Sequence, residues 1–296
     1  DELPSAFIAG VKDRLTEAFP QAVLFGEVWE DASNKIAYGK RRSYYLGKEL
    51  DGVMNYPLRK GILSYLTEGK IEDLSYYMEE VLPNMPKRVA DAAMNLLGTH
   101  DTCRVLTALG GVSPEGKTND QLARLRMTPA ERKKGIRRLI CAYGILATLP
   151  GIPCVYYGDE AGLEGYSDPF NRMPFPWNNM EKELLSFYRF VGTLRQENKI
   201  YEKGECRVLN LTPDAFVFLR TDGSTAFATV FVHENSRFSL SLPDSAVCVL
   251  SSCPDPYSSG KSAAGPNVLP GNVSVFKGTQ NLFISWAESF FGKEAF

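Results

Sequence analysis

The chain divides by its hydrophobic rhythm. Up to about residue 200, short apolar runs alternate with longer stretches whose apolar residues recur every three or four positions. Phe7, Val11, Leu15 and Phe19 share one helical face, and Pro20 ends that helix because proline cannot continue its hydrogen-bond ladder. Residues 22–31 follow as a strand, apolar up to Gly26 and then delivering Glu27, Trp29, Glu30 and Asp31. Residues 33–49, rich in Lys, Arg, Gly and Tyr, read as a loop with a short helix. Residues 50–56 form a second strand, and Pro57 opens a helix that runs to Leu66. A weaker helix covers 71–81. A third strand, 94–98, delivers Thr99-His100-Asp101, and 110–130 loops outward. The stretch 132–149 is a long amphipathic helix stopped by Pro150-Gly151. A fourth strand, 152–158, ends in Asp159-Glu160, and after a proline-containing loop a last helix spans 181–195.

Four such alternations predict parallel strands joined by crossover helices, half of what an eight-stranded (β/α) barrel needs. Past residue 200 the texture changes to short β-rich runs at 208–211, 215–220, 225–233, 238–242, 247–250, 273–276 and 282–286. Asp222-Gly223 between two of them is a hairpin signal. These runs predict an antiparallel β-sandwich domain over 201–296, after an α/β domain over 1–200. Residues 253–272, heavy in Ser, Pro and Gly, form a loop within it.

Composition narrows the partners. The 296 residues are 44% hydrophobic and 23% charged, with a net charge of −2 that leaves no basic footprint for nucleic acid. No apolar run reaches the roughly 18 residues that a membrane span takes. The six cysteines are scattered without a CxxC pair, and only two histidines occur, so a zinc site is disfavoured and free thiols are expected. Cys248 and Cys253 lie close enough in sequence to pair, though nothing requires it. No charged-then-apolar leader precedes the first residues.

In a parallel barrel the strand ends share one mouth, so Glu27, His100-Asp101 and Asp159-Glu160 converge although distant in sequence. Two carboxylates flanking a bond suit acid-catalysed glycoside cleavage; the same pair suits a divalent metal. A strand that simply stops where polar residues begin is the plain structural alternative for Glu27.

Phe25-Gly26-Glu27-Val28-Trp29, followed by Leu97-Gly98-Thr99-His100-Asp101-Thr102, resembles two signature segments of the α-amylase superfamily of glycoside hydrolases. Met54-Asn55-Tyr56-Pro57, Gly151-Ile152-Pro153, Tyr157-Gly158-Asp159-Glu160 and Asp168-Pro169-Phe170-Asn171-Arg172 extend the match, which is nearest the neopullulanase and cyclomaltodextrinase branch. The resemblance implies the C-terminal half of a (β/α)8 TIM barrel plus a C-terminal β domain. It implies that Glu27 is the general acid/base, with its proton retained through burial or a neighbouring carboxylate. Asp101 would stabilise the distorted sugar through its 2- and 3-hydroxyls, and His100 would bind the same sugar. Trp29 would stack on a leaving-group sugar, with core filler as the plain alternative, and Asp168 with Arg172 would hold a donor-side glucose, with an ordinary surface ion pair as theirs. Asp159 and Glu160 are expected to orient a loop, Glu30 and Asp31 to be solvated or to support the site residues from behind, and Tyr44 and Tyr45 to line the cleft or pack.

The superfamily's nucleophilic Asp, preceded two residues earlier by Arg at the end of the fourth barrel strand, has no matching segment, and the sequence is expected to begin just after it. The chain alone is therefore expected to be inactive, with no metal or cofactor of its own. Calcium is possible in a full-length parent, through sites in the absent half. The expected substrate is an α-glucan, and open barrel edges predict a homodimer. Resemblance to cyclomaltodextrinases, with the scattered cysteines, favours the cytoplasm. A transglycosylase of the same superfamily, a non-catalytic carbohydrate-binding protein and, third, a metal-dependent hydrolase are the alternatives.

Overall fold

The computed structural model describes residues 3–45, 48–252 and 267–292. Strands Phe25–Gly26 and Gly52–Val53 pair in parallel, with Phe25 opposite Gly52. A parallel bridge joins Met54 to Met94, and strand Met94–Leu96 pairs in parallel with Ile152–Cys154. Each of these strands thus neighbours the next one in parallel; helical segments connect the second to the third and the third to the fourth, whereas a β-hairpin lies between the first and the second.

Two buried amides lock the strand roots. Asn55 caps helix Tyr56–Glu68 and donates to Tyr77 Oη and to Asn95 Oδ1, both at 2.8 Å. Asn95 in turn donates to the Pro150 carbonyl at 2.8 Å. Three successive units are therefore registered by side chains that are fully buried and hydrogen-bonded, which satisfies polar groups that would otherwise be costly there.

The long helix forms over Pro129–Thr148. Thr128 and Glu131 make a reciprocal capping box, Pro129 sits at the first turn, and the second half of the helix is almost wholly buried. Helix Lys182–Glu197 packs beside it. The 71–81 segment is broken: helix Glu72–Tyr76 passes into a π-helical turn, Tyr77–Val81, which brings Tyr77 Oη onto Asn55. Residues 33–49 hold a hairpin, Ile36–Ala37 with Lys40–Arg41, rather than a helix; Tyr38 and Gly39 both have positive φ, the turn that such hairpins favour. Within 110–130, Thr118 and Gln121 box the start of helix Asn119–Arg124.

The first helix, Ser5–Ala18, has the expected apolar face but buries none of it fully: Phe7 is 56% and Phe19 67% exposed.

Beyond 200 one antiparallel sheet holds five strands, in the order Val247–Ser251, Asn272–Thr279, Thr225–Val232, Ala215–Thr221, Glu205–Leu211. Leu240–Ser241 pairs with Asn267–Val268 as a separate two-stranded sheet, so among the described residues the second layer of the expected sandwich is small. The run at 282–286 is not a strand. It lies in helix Gln280–Phe291, capped by Thr279, with Phe283 and Ala287 buried four apart against the sheet's second core. Cys103, Cys141, Cys154 and Cys206 are free thiols; the Cys248–Cys253 pairing lies outside the described residues.

Candidate active site

Three of the predicted residues meet at the strand ends. Glu27, His100 and Asp101 place one ligand atom each within 4.8 Å of one another, and all three side chains are exposed. Glu27 follows the two paired residues of its strand directly, and Tyr56, at the start of the next helix, donates its hydroxyl to Glu27 Oε1 at 2.9 Å. The neighbouring carboxylate expected for Glu27 is present in Asp101; the burial is not, because no described segment covers that side.

Trp29 is 47% exposed and stacks on Tyr56, with ring centroids 3.9 Å apart and planes 16° from parallel. It is therefore not core filler: one indole face is spent on the tyrosine whose hydroxyl orients Glu27. A cleft of about 610 Å³ opens beside these rings, bordered by Asp31, Asn34, Arg59 and Tyr76.

Asp168 and Arg172 come together, Nε to Oδ1 at 2.5 Å, and the same guanidinium reaches Asp101 Oδ1 at 3.3 Å. His100 Nε2 lies 3.3 Å from the other Asp101 oxygen. The pair expected further from the reacting bond thus bridges to Asp101, a contact that spacing in sequence does not show.

Asp159 and Glu160 stay out of the site. Glu160 accepts from the Gly158 N–H at 2.8 Å. Asp159 is buried against the Arg104 guanidinium at 3.1 Å; burial pushes its carboxyl up to about 7 while Arg104 opposes the shift. A Cβ on Gly98 would fall 2.1 Å from Asp159 Oδ2, so only glycine lets the third strand's end pass this carboxylate. Glu30 pairs with Lys35 at 2.5 Å, and Asp31 accepts from Ser33 N at 2.8 Å, both local contacts. Tyr44 and Tyr45 are buried and pack.

His233, the second histidine, is structural. Its Nε2 meets the Tyr65 carbonyl at 3.1 Å while Nδ1 accepts from Asn235 N, and burial holds its pKa below the usual value. Tyr56 and Arg104 were not singled out by sequence reasoning, although Tyr56 lies inside a quoted motif. An Arg-x-Asp triplet does occur at Arg220-Thr221-Asp222, but it sits at the end of a strand in the antiparallel sheet. There Asp222 Oδ1 accepts from Ser224 N and Thr225 N within a hairpin turn.

The three clustered donors do not fit a resident calcium ion. That ion takes six to eight oxygen ligands, whereas one donor here is an imidazole nitrogen and Asp101 already faces a guanidinium. A larger cavity of about 1110 Å³ lies between helix Pro129–Thr148 and the antiparallel sheet. Its walls carry closed ion pairs, Arg132–Glu181 at 3.4 Å and Arg138–Glu234 at 2.5 Å. Among the described residues no helix is long and apolar enough to cross a membrane.

Residues 4–207 match the family described as alpha amylase, catalytic domain. The chain is 30% identical to a maltogenic alpha-amylase of Bacillus acidopullulyticus over 68% of its own length and 29% of that protein. It is 28% identical to a cyclomaltodextrinase of Geobacillus thermopakistaniensis over 76% of its length and 34% of the relative. In fold it is similar to the cyclic alpha-maltosyl-(1→6)-maltose hydrolase of Arthrobacter globiformis, with a TM-score of 0.69 at 22% identity, covering 93% of this chain and 54% of that one. The first of the curated relatives it matches are spanned over 16%, 18%, 12% and 34% of their length. With the family's catalytic-domain pattern running through more than two thirds of its residues, the chain belongs to the alpha-amylase family of glycoside hydrolases.

Proposed function

We propose that the chain carries the acid/base and stabilising half of a retaining α-glucan hydrolase that cleaves α-glucosidic bonds in starch-derived glucans or cyclodextrins. The observation that carries this reading is the convergence of Glu27, His100 and Asp101 on one exposed spot from two separate strand ends. Glu27 protonates the departing glycosidic oxygen and later takes a proton from the incoming water, with Tyr56 holding its carboxyl in place. Asp101 and His100 hold the sugar hydroxyls as the ring flattens, Trp29 faces the leaving-group side, and Asp168 with Arg172 faces the donor side. The main bond class is α-1,4, and α-1,6 is the second to test.

Residues 1–200 are read as the C-terminal half of the (β/α)8 barrel and 201–296 as the C-terminal β domain. The sequential parallel strands and the separate antiparallel sheet support that division. The attacking carboxylate comes from polypeptide outside these residues: among the described ones, no further acid joins the Glu27–Asp101 group. Without it no glycosyl-enzyme intermediate forms. The isolated chain is expected to show no turnover of cyclodextrin, pullulan or starch above a Glu27→Gln blank, and turnover well above that blank would overturn the reading. A transglycosylase would use the same residues, with an acceptor sugar in place of water.

The exposed face of helix Ser5–Ala18 and two open strand edges favour self-association of this chain into a homodimer. Sedimentation equilibrium is expected to give a mass above the monomer's 32.9 kDa; a monomer across the concentration range would count against the dimer.

A further inference from the structure

We infer that Asn171, gripped by Arg104, is the positioning residue that fixes the His100–Asp101 pair and ties it to the Asp168–Arg172 side of the site. The inference rests on the function proposed above for that pair. His100 and Asp101 have side chains 48% and 43% exposed, so packing does not hold them. Their placement falls on the backbone of residues 99–102. There one buried amide takes the carbonyls on either side of Asp101: Asn171 Nδ2 donates to His100 O at 2.7 Å and Thr102 O at 2.9 Å, with Thr99 O at 3.4 Å. Asn171 is itself fully buried.

Arg104 holds Asn171 from behind. Its Nε donates to the Asn171 carbonyl at 2.6 Å, and its own N–H donates to Gly165 O at 2.9 Å. The guanidinium is fixed in turn by Asp159, by the Tyr157 carbonyl, and by the Tyr156 and Tyr157 rings at 4.3 and 4.6 Å. The next residue, Arg172, pairs with both Asp101 and Asp168. Asp101 is therefore held twice by consecutive residues of the opposite loop: through the carbonyls of the residues flanking it by Asn171, and through its carboxylate by Arg172. A donor-rich amide is required. Aspartate at 171 would present acceptors to carbonyl oxygens, and alanine would leave those carbonyls bare.

The test compares Asn171→Ala and Asn171→Asp with Asn210→Ala, a buried amide of the same kind that donates to Ala215 O at 2.7 Å in the antiparallel sheet. Amide hydrogen exchange in this chain is expected to speed up about tenfold or more at residues 99–104 in both Asn171 variants and not in Asn210→Ala. Exchange in strand Thr225–Val232 should be unchanged by the Asn171 variants. Maltoheptaose binding, followed by calorimetry, should weaken about tenfold in the Asn171 variants alone. Equal exchange and equal binding in all three variants, or a uniform rise across the chain, would reduce Asn171 to a packing residue and overturn the inference. If the unsubstituted chain does not bind maltoheptaose, the functional reading fails while the exchange comparison still decides the positioning role.

Discussion

Glu27→Gln in the full-length protein carrying this chain is expected to lower cleavage of a maltooligosaccharide by a factor of about 10²–10⁴, the usual worth of a placed general acid/base. Glutamine keeps the shape and still accepts from the Tyr56 hydroxyl, so binding should change little. What it lacks is the proton for the departing oxygen. The loss should therefore depend on the leaving group. With α-maltosyl fluoride, whose fluoride leaves without protonation, the first step of the variant should approach that of the parent. An equal loss on both substrates would point to a structural role for Glu27 instead.

The second large effect is on stability. Arg220→Leu is expected to destabilise the chain by about 3–5 kcal/mol, because buried carbonyls that lose their donor cost about 1–3 kcal/mol each. Arg220 is fully buried and, among the described residues, pairs with no carboxylate. Its guanidinium donates at 2.9 to 3.4 Å to the carbonyl of Thr148, the last residue of helix Pro129–Thr148, and to those of Ile200, Tyr201 and Gly204. Leucine would take this donor from all four carbonyls, of which Ile200 O keeps the Gly204 N–H at 2.8 Å. Thermal unfolding should show a midpoint lower by roughly 10 °C. Arg189→Leu, at an exposed position of helix Lys182–Glu197, should change stability by no more than about 0.5 kcal/mol. Comparable losses in the two variants would mean that burial of Arg220 is not what matters.

The convergence of three side chains was readable from the chain where several local elements around them were not. Glu27, His100 and Asp101 were legible because a strand end followed by a carboxylate is a local pattern, and the shared mouth follows from parallel strands. The helix at Gln280–Phe291 was misread because a five-residue window, 282–286, is too short to separate a period of two from one of 3.6. Phe283, Ala287 and Phe290 taken together carry the helical spacing. The hairpin at Ile36–Arg41 escaped because its strands are two residues long and carry no alternation, while its turn signal, Tyr38-Gly39, is not a common pair.

Other features have no local signature. Arg104 reaches Asn171 across 67 residues and Arg172 reaches Asp101 across 71, so only the assembled loops bring those charges together. Exposure behaves the same way. Helix Ser5–Ala18 has an apolar face in sequence, but whether that face is covered depends on what stands beside it, and its spacing says nothing of that.

The most direct test of the central claim is the anomeric form of the first product, followed by proton NMR as the full-length protein cleaves maltoheptaose. Two displacements, with Glu27 as acid and then base, predict the α-anomer at the moment of cleavage, and its formation should collapse in Glu27→Gln. A β-anomer, or an α-anomer formed at the parent rate by Glu27→Gln, would contradict it.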